Sequence, residues 1–259
     1  MELRVVTHRR WLAHLFAPYG GRMDLGLDID PRTAQDTLWW APGHWVARAA
    51  QSGVVLPLTS CGAKWLPEQE RWTQRSVTVL PVEELTERAY TVPVHLKLPE
   101  VKSDDYPAEV VSPAGVWAWS KGLSPHDLVQ VSGVVPLSFE VRAFVAHRRV
   151  VASSVYRVGD DWWDGEPLNA DQGDVRCCLD LAEDIARNAE APDGYVVDIG
   201  KSSTGDPVLL EANAAWSANP YDADIEGVLE ALKAAHARES RWMFDTVQYG
   251  CVPPLRLAS

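Results

Sequence analysis

Asp198, Glu211 and Asn213 are the side chains of this 259-residue chain best placed to act together. Each sits in a short apolar run, Tyr195-Val196-Val197-Asp198-Ile199-Gly200 and Val208-Leu209-Leu210-Glu211-Ala212-Asn213, and the two runs read as strands joined by a polar loop that holds Gly205. In the second strand Leu209, Glu211 and Asn213 face one way while Val208, Leu210 and Ala212 face the other. A loop centred near Thr204 sets Asp198 across from Leu210 or Glu211, so the two carboxylates and the amide can converge on one face. Held together, they repel one another unless a hard cation sits between them. Magnesium prefers such oxygens, and nucleotide phosphates would complete its shell. A solvated strand position is the plainer account of any lone acid, but the apolar neighbours of Asp198 and Glu211 make routine solvation a poor fit.

Lys97, Lys102, Arg142 and Arg157 supply the opposite sign. A strand lysine reaches phosphate as a point charge, whereas an arginine grips a carboxylate or phosphate with two donors. Taken singly, each could be an ordinary surface salt-bridge partner. Residues 137–145 alternate, with Leu137, Phe139, Val141, Ala143 and Val145 on one side and Ser138, Glu140, Arg142 and Phe144 on the other. Residues 149–157 read as the hairpin partner. A two-residue turn at His147-Arg148 sets Arg142 opposite Ser153 and Ser138 opposite Arg157, so Glu140, Arg142 and Arg157 share one polar face.

The remaining elements must hold these strands. Apolar stripes predict helices over 173–190 and 223–239. The first ninety or so residues suggest a small α/β unit, with a strand at 3–6, a helix at 41–51 after Pro42-Gly43, and a buried strand at 54–58; a boundary falls near Ala89. The formal charge of -12 argues against a nucleic-acid partner, and no apolar stretch approaches the ~20 residues of a membrane span. No signal-peptide pattern follows the N-terminal Arg4, His8, Arg9 and Arg10, so the expected compartment is the cytoplasm. Cys61, Cys177, Cys178 and Cys251 lack metal-ligand spacing and read as reduced thiols. Ser153, Ser154, Ser202 and Ser203 have no evident His and Asp partner, so no protein nucleophile stands out. Twelve tryptophans are many for this length; most suit core packing, while Trp162, Trp163 and Trp216 follow the candidate site blocks and could line an acceptor pocket.

Three blocks in order resemble the ATP-grasp superfamily, specifically its small bacterial and phage clade. They are residues 94–102 running to Tyr106-Pro107-Ala108, then Glu140 to Val145 with Ser154-Val155-Tyr156-Arg157, then residues 195–200 followed by Glu211-Ala212-Asn213-Ala214-Ala215-Trp216 and a closing Asn-Pro-Tyr-Asp. The resemblance implies an α+β ATP-grasp fold, two subdomains clamping ATP (90–132 and 133–259), preceded by a small α/β domain over 1–89. By that likeness Lys97 holds the α- and β-phosphates and Lys102 is a second phosphate or loop contact. Gln130, Val131 and Ser132 take the adenine edge through their backbone, and Glu140 meets the ribose or a second cation. Arg142 and Arg157 steady the γ-phosphate and substrate carboxylate, while Asp198, Glu211 and Asn213 bind magnesium. One departure is plain. The family's glycine-rich phosphate loop has no counterpart, and Ser112-Pro113-Ala114-Gly115 is the nearest substitute.

The chemistry implied is ATP- and Mg2+-dependent joining of a carboxylate to an amine through an acylphosphate, on a small amino-acid-like or peptide substrate. Phosphoryl transfer to another acceptor and a non-catalytic nucleotide-binding module are the alternatives. A carbohydrate hydrolase using Glu140 and Glu211 would account for the tryptophans but leave the basic residues idle. Arg22, Trp39, Trp40 and His44 are candidates for a substrate pocket in the N-terminal unit, and a homodimer would be unsurprising.

Overall fold

The computed structural model describes residues 1–247 except 25, 27, 28, 104, 203 and 204. Cys251, Ser203 and Thr204 therefore lie outside the described residues. The chain opens on β1 (Glu2–Val6), α1 (Arg10–Phe16), β2 (Gly21–Asp24), α2 (Pro31–Ala34), β3 (Thr37–Trp40) and α3 (Gly43–Gln51), whose strands form a parallel sheet in the order β2-β1-β3. This confirms the α/β character read from the sequence. Residues 54–58, expected as a strand, join no sheet: the Leu58 N–H turns back to the Leu56 carbonyl at 2.9 Å, and Leu58 makes an isolated bridge to His236. Their apolar side chains, Val54, Leu56 and Leu58, serve as filler of the core beneath the sheet.

After α4 (Glu70–Thr73) come β4 (Val77–Pro81), α5 (Val82–Glu87), β5 (Val94–Lys97), β6 (Glu109–Val111), α6 (Val116–Ser120) and β7 (Leu128–Ser132). The strands form an antiparallel sheet in the order β4-β7-β5-β6, with α5 and α6 packed on one face around Leu85, Leu96 and Val129. The boundary expected at Ala89 divides this sheet, because β4 pairs with β7, Val79 opposite Gln130.

The third sheet is built from β8 (Leu137–Ala146), β9 (Arg149–Val158), β10 (Asp161–Trp162), β11 (Gly194–Ser202) and β12 (Pro207–Asn213), in the order β10-β9-β8-β11-β12. Between β10 and β11 runs α7 (Gln172–Asn188), whose first turn is capped by the Asp171 carboxylate accepting the Asp174 N–H at 3.0 Å. Its apolar stripe covers Phe139, Val141, Ala143, Val145, Val197 and Ile199. Each such valine or isoleucine contributes roughly 1.5–3 kcal/mol through burial. The opposite face of β8 and β11 changes character along its length. Phe144, Ala146 and Val196 lie under α8 (Ile225–Ala234), whereas Glu140, Arg142 and Asp198 open toward the four-stranded sheet. Gly227 lets α8 come this close, since a Cβ there would stand 2.1 Å from the Val151 carbonyl oxygen.

The β8–β9 turn is the expected two-residue one. His147 and Arg148 both take positive φ, 48° and 66°, the backbone of a type I′ turn without glycine. Pairing starts in the expected register, Ala146 with Arg149 and Val145 with Val150, then slips by one residue twice. Arg142 therefore faces Ser154, not Ser153, and Glu140 faces Arg157 directly. The shared polar face survives both slips. The last helix, expected over 223–239, spans only α8, because the chain turns at Ala235 to bridge back to Leu58 through His236.

Candidate functional site

A cavity of about 480 Å³ separates the four-stranded sheet from the five-stranded one. Lys97, Gln130 and Ser132 line it from one side, and Glu140, Arg142, Arg157, Asp198 and Glu211 from the other. The second hairpin meets the sequence expectation: Asp198 stands opposite Glu211, and Asn213 opposite Val196. A bulge beside Asp198 leaves Leu210 as the extra residue of β12.

Asn213 Nδ2 donates to Asp198 Oδ2 at 3.0 Å and to Glu211 Oε1 at 2.8 Å, and Lys97 Nζ forms an ion pair with Glu211 Oε2. Arg142 holds Asp198 with two prongs, Nε to Oδ1 and Nη2 to Oδ2, both 2.8 Å. Burial pushes the Asp198 carboxyl up to about 6, with Arg142 pulling the other way and Glu211 adding to the rise. For Glu211 burial acts in the same upward sense, but Lys97 and hydrogen bonds from Asp198 and Asn213 outweigh it and hold its pKa well below the usual carboxylate range. The negative charge of the pair therefore settles first on Glu211, beside Lys97.

This donor set fits magnesium. A half-turn of the Asn213 amide exchanges its nitrogen and oxygen ends, and three oxygens from three residues then face one point. Phosphate oxygens and water would supply the remaining ligands. Among the described residues no group of three His, Cys, Asp or Glu is placed to hold a metal.

Both arginines of the expected set are in ion pairs. Arg157 Nη1 donates to Glu140 Oε1 at 2.6 Å, and Tyr156 Oη donates to Glu140 Oε2 at 2.5 Å. Burial, followed by the charges of Asp198 and Glu140, keeps the Tyr156 phenol well above its ordinary pKa, so it remains a donor. Both Glu140 oxygens are thus engaged, and contact with a ribose or a second cation requires an exchange of partners. Arg142 also donates through Nη1 to the Asn219 carbonyl at 3.2 Å. Three of its five N–H groups are then used, and its guanidinium lies against the rings of Tyr156 and Tyr221, 5.5 and 5.1 Å from their centroids.

Gln130 and Ser132 turn their side chains into the cavity, while Val131 packs with the α5 and α6 core. All three belong to β7, which is paired with β4 on one side and β5 on the other. A strand paired on both sides has no backbone edge for a base. Gly133, Val134 and Val135 follow it, line the same cavity and lie outside any strand. Lys102 lies in the connection from β5 to β6, over the cavity mouth. More than a third of its surface is in solvent, yet crowding by protein, followed by the like charge of Arg142, lowers its pKa. That connection contains no glycine. Ser112-Pro113-Ala114-Gly115 instead leads into α6.

Sequence reasoning assigned no role to Arg75, His95, Tyr156 or Tyr221, all of which line the cavity. Arg75 donates to the carbonyls of Leu209 (2.7 Å) and Leu210 (3.0 Å) and so ties the approach to β4 onto the bulge of β12. An isolated arginine in Gln74-Arg75-Ser76 carries no local signal of that. Tyr156 and Tyr221 stack at 5.2 Å, the first from Ser154-Val155-Tyr156-Arg157 and the second from Asn219-Pro220-Tyr221-Asp222. Of the tryptophans singled out, Trp162 lines this cavity and Trp216 a smaller neighbouring one, while Trp163 packs between Trp11 and Tyr221. Trp40 and His44 also line the smaller cavity. Trp39 is buried with its indole N–H on the Ala34 carbonyl, and Arg22 pairs with Glu2.

Two antiparallel sheets facing each other across a lysine, two carboxylates and an amide define an ATP-grasp domain. The sequence matches a family described as an ATP-grasp domain, family 2 of its clade, over residues 72–231, and the chain belongs to that family. No curated protein sequence matches it. Among solved structures it is similar to D-cycloserine synthetase (15% identity, TM-score 0.57, covering 90% of this chain and 98% of that one). It is also similar to D-alanine–D-alanine ligase from Bacillus anthracis (12%, 0.52, 91% and 97%) and to the ADP complex of N5-carboxyaminoimidazole ribonucleotide synthetase (15%, 0.53, 82% and 69%). At these identities the likeness establishes the fold. Among the described residues no helix is long and apolar enough to cross a membrane.

Proposed function

We propose that the protein is an ATP- and magnesium-dependent ligase that joins a carboxylate to an amine. The observation that carries this reading is the convergence of Lys97, Glu211 and Asp198 in one cavity between the two sheets, with Asn213 hydrogen-bonded to both carboxylates. ATP is a substrate here. Lys97 and Lys102 neutralise phosphate charge, and Gly133 to Val135 offer the adenine edge. Asp198, Glu211 and Asn213 hold magnesium, which neutralises charge on the phosphates.

A substrate carboxylate oxygen attacks the γ-phosphorus, the bond to the β,γ-bridging oxygen breaks, and ADP leaves. An amine then attacks the acyl carbon, phosphate departs, and the amine loses a proton. No protein nucleophile is needed. The D-alanine–D-alanine ligase and D-cycloserine synthetase likenesses support a small amino-acid-like substrate.

Calorimetry of ATP binding with magnesium tests the reading, repeated on Lys97→Ala and Glu211→Ala. Wild type should bind and both variants should lose most of the affinity. Magnesium-dependent ADP release with a panel of amino acids and short peptides should then identify the substrates. ATP binding with no ADP release under any acceptor would favour a non-catalytic nucleotide module, for which the glycine-free β5–β6 connection is the specific support. No binding at millimolar ATP would overturn the ligase reading.

A further inference from the structure

Beside the cleft lies a second cavity of about 160 Å³, and we propose that it seats a short acid bearing a second anionic group, a dicarboxylate such as succinate or aspartate. The near carboxylate lies toward Lys102 and Asn213, which line both this cavity and the cleft or its acidic cluster, and the far anion lies toward Arg9 and His44. The fate of the near carboxylate rests on the ligase reading above. The charge preference of the pocket does not.

Charge is the first argument. Cationic or protonatable side chains, His8, Arg9, His44 and Lys102, line the pocket of a chain whose formal charge is -12. A local reversal of sign of this kind attracts an anion. The acidic side chain in the lining, Glu100, accepts the Gly62 N–H through Oε1 at 3.1 Å.

The backbone adds to the same sign. The cavity is floored by the start of the nine-residue α3, where Pro42 makes no side-chain cap and the first turn contains no acid. The N–H groups of Gly43 and His44 have no intrahelical acceptor, as in the first turn of any α-helix. Burial, then the charges of Arg48 and His8, lowers the His44 pKa, so its imidazole is neutral near pH 7 and an anion beside it would reverse that shift.

Size and shape set the chain length. Trp216 and Phe244 meet edge to face, 4.7 Å between centroids, to form an apolar wall. A cavity of ~150 Å³ holds one benzene, so this one suits a backbone of about four or five carbons with one end reaching into the cleft. A monocarboxylate fills the same space but leaves Arg9 without a partner.

Calorimetry at about pH 7.5, where both succinate carboxylates are ionised, compares succinate with propionate, with and without ATP and magnesium. Succinate should bind about tenfold tighter than propionate, as one added charge-assisted contact implies. Arg9→Gln should remove that advantage while leaving propionate and ATP affinities unchanged. His44→Gln, which keeps a polar amide at the helix start, provides the same comparison should the first variant fold poorly. In NMR titrations the His44 pKa should rise with succinate and stay put with propionate. Equal affinities for the two acids, no binding of either, or equal loss of both in Arg9→Gln would overturn the assignment. A succinate preference in a protein that binds no ATP would uphold the pocket and overturn only the ligase reading.

Discussion

Arg142 on β8 and Asp198 on β11 face each other in register and close two parallel hydrogen bonds of 2.8 Å, with side chains only 3% and 1% exposed. Both Asp198 oxygens are shared with the guanidinium, so a cation bound there would sit opposite Arg142. Asp198 can hold a charge in this setting because Arg142 is there, and the guanidinium in turn is fixed by the Asn219 carbonyl and two tyrosine rings. The pair couples the sheet's integrity to the shape of the cluster that Asp198 forms with Glu211 and Asn213.

Arg142→Met should therefore cost stability before it costs chemistry. It leaves the Asp198 carboxylate buried beside Glu211 with no cation against it, and breaking a buried pair in this way costs about 3–5 kcal/mol. Urea unfolding followed by tryptophan fluorescence should show that loss, and Arg142→Met with Asp198→Leu should recover part of it. A loss below about 1 kcal/mol for the single variant would mean that the pair contributes little to the fold.

The parts of this arrangement that were legible are those that depend on strand alternation. Glu211 and Asn213 share a face, as do Glu140 and Arg142, because alternation within one strand has a period of two; Asp198 and Arg157 join those faces because Asp198 pairs with Glu211 and because the two slips between β8 and β9 cancel in parity. Bulges were not legible, since they arise from twist and packing across strands, and they decide that Tyr156 meets Glu140. Long-range pairing was equally hidden. Nothing in 77–81 announces a partner at 128–132, so β4 fell on the wrong side of the expected boundary. The strand expected at 54–58 failed for a related reason. Apolar runs of this length fit a strand or a core filler equally, and the segment makes an isolated bridge at Leu58 and joins no sheet.

Arg75 gives a test of how the two sheets are held in relation to each other. Its guanidinium bonds three backbone carbonyls, Thr73 at 3.1 Å, Leu209 at 2.7 Å and Leu210 at 3.0 Å, and no side-chain hydroxyl or amide can reproduce that span. Arg75→Ala should lower stability by about 1.5–3 kcal/mol, the usual range for hydrogen bonds to a charged group. Hydrogen exchange should speed up selectively in β12, and ATP affinity should fall because Glu211 and Asn213 sit on that strand. Unchanged exchange in β12 would show that Arg75 does not anchor it.

His236 should make the fold acid-sensitive. Its Nε2 accepts the Trp39 N–H at 2.9 Å and its Nδ1 lies 2.7 Å from the Leu232 carbonyl, so the ring is neutral, with the proton on Nδ1, and it joins the N-terminal sheet to the end of α8. Burial lowers its pKa from 6.5 to about 4, partly offset by the bond to Leu232. The folded value lies below the unfolded one, so between them the unfolded chain binds more protons and stability rises with pH. The contribution is complete above pH ~6.5 and is lost as pH falls toward ~4, amounting to about 3 kcal/mol across that window. His236→Asn should be less stable than wild type at neutral pH and show a shallower fall of stability with acid. Parallel stability-against-pH curves for the two proteins would remove His236 as the acid-sensitive group.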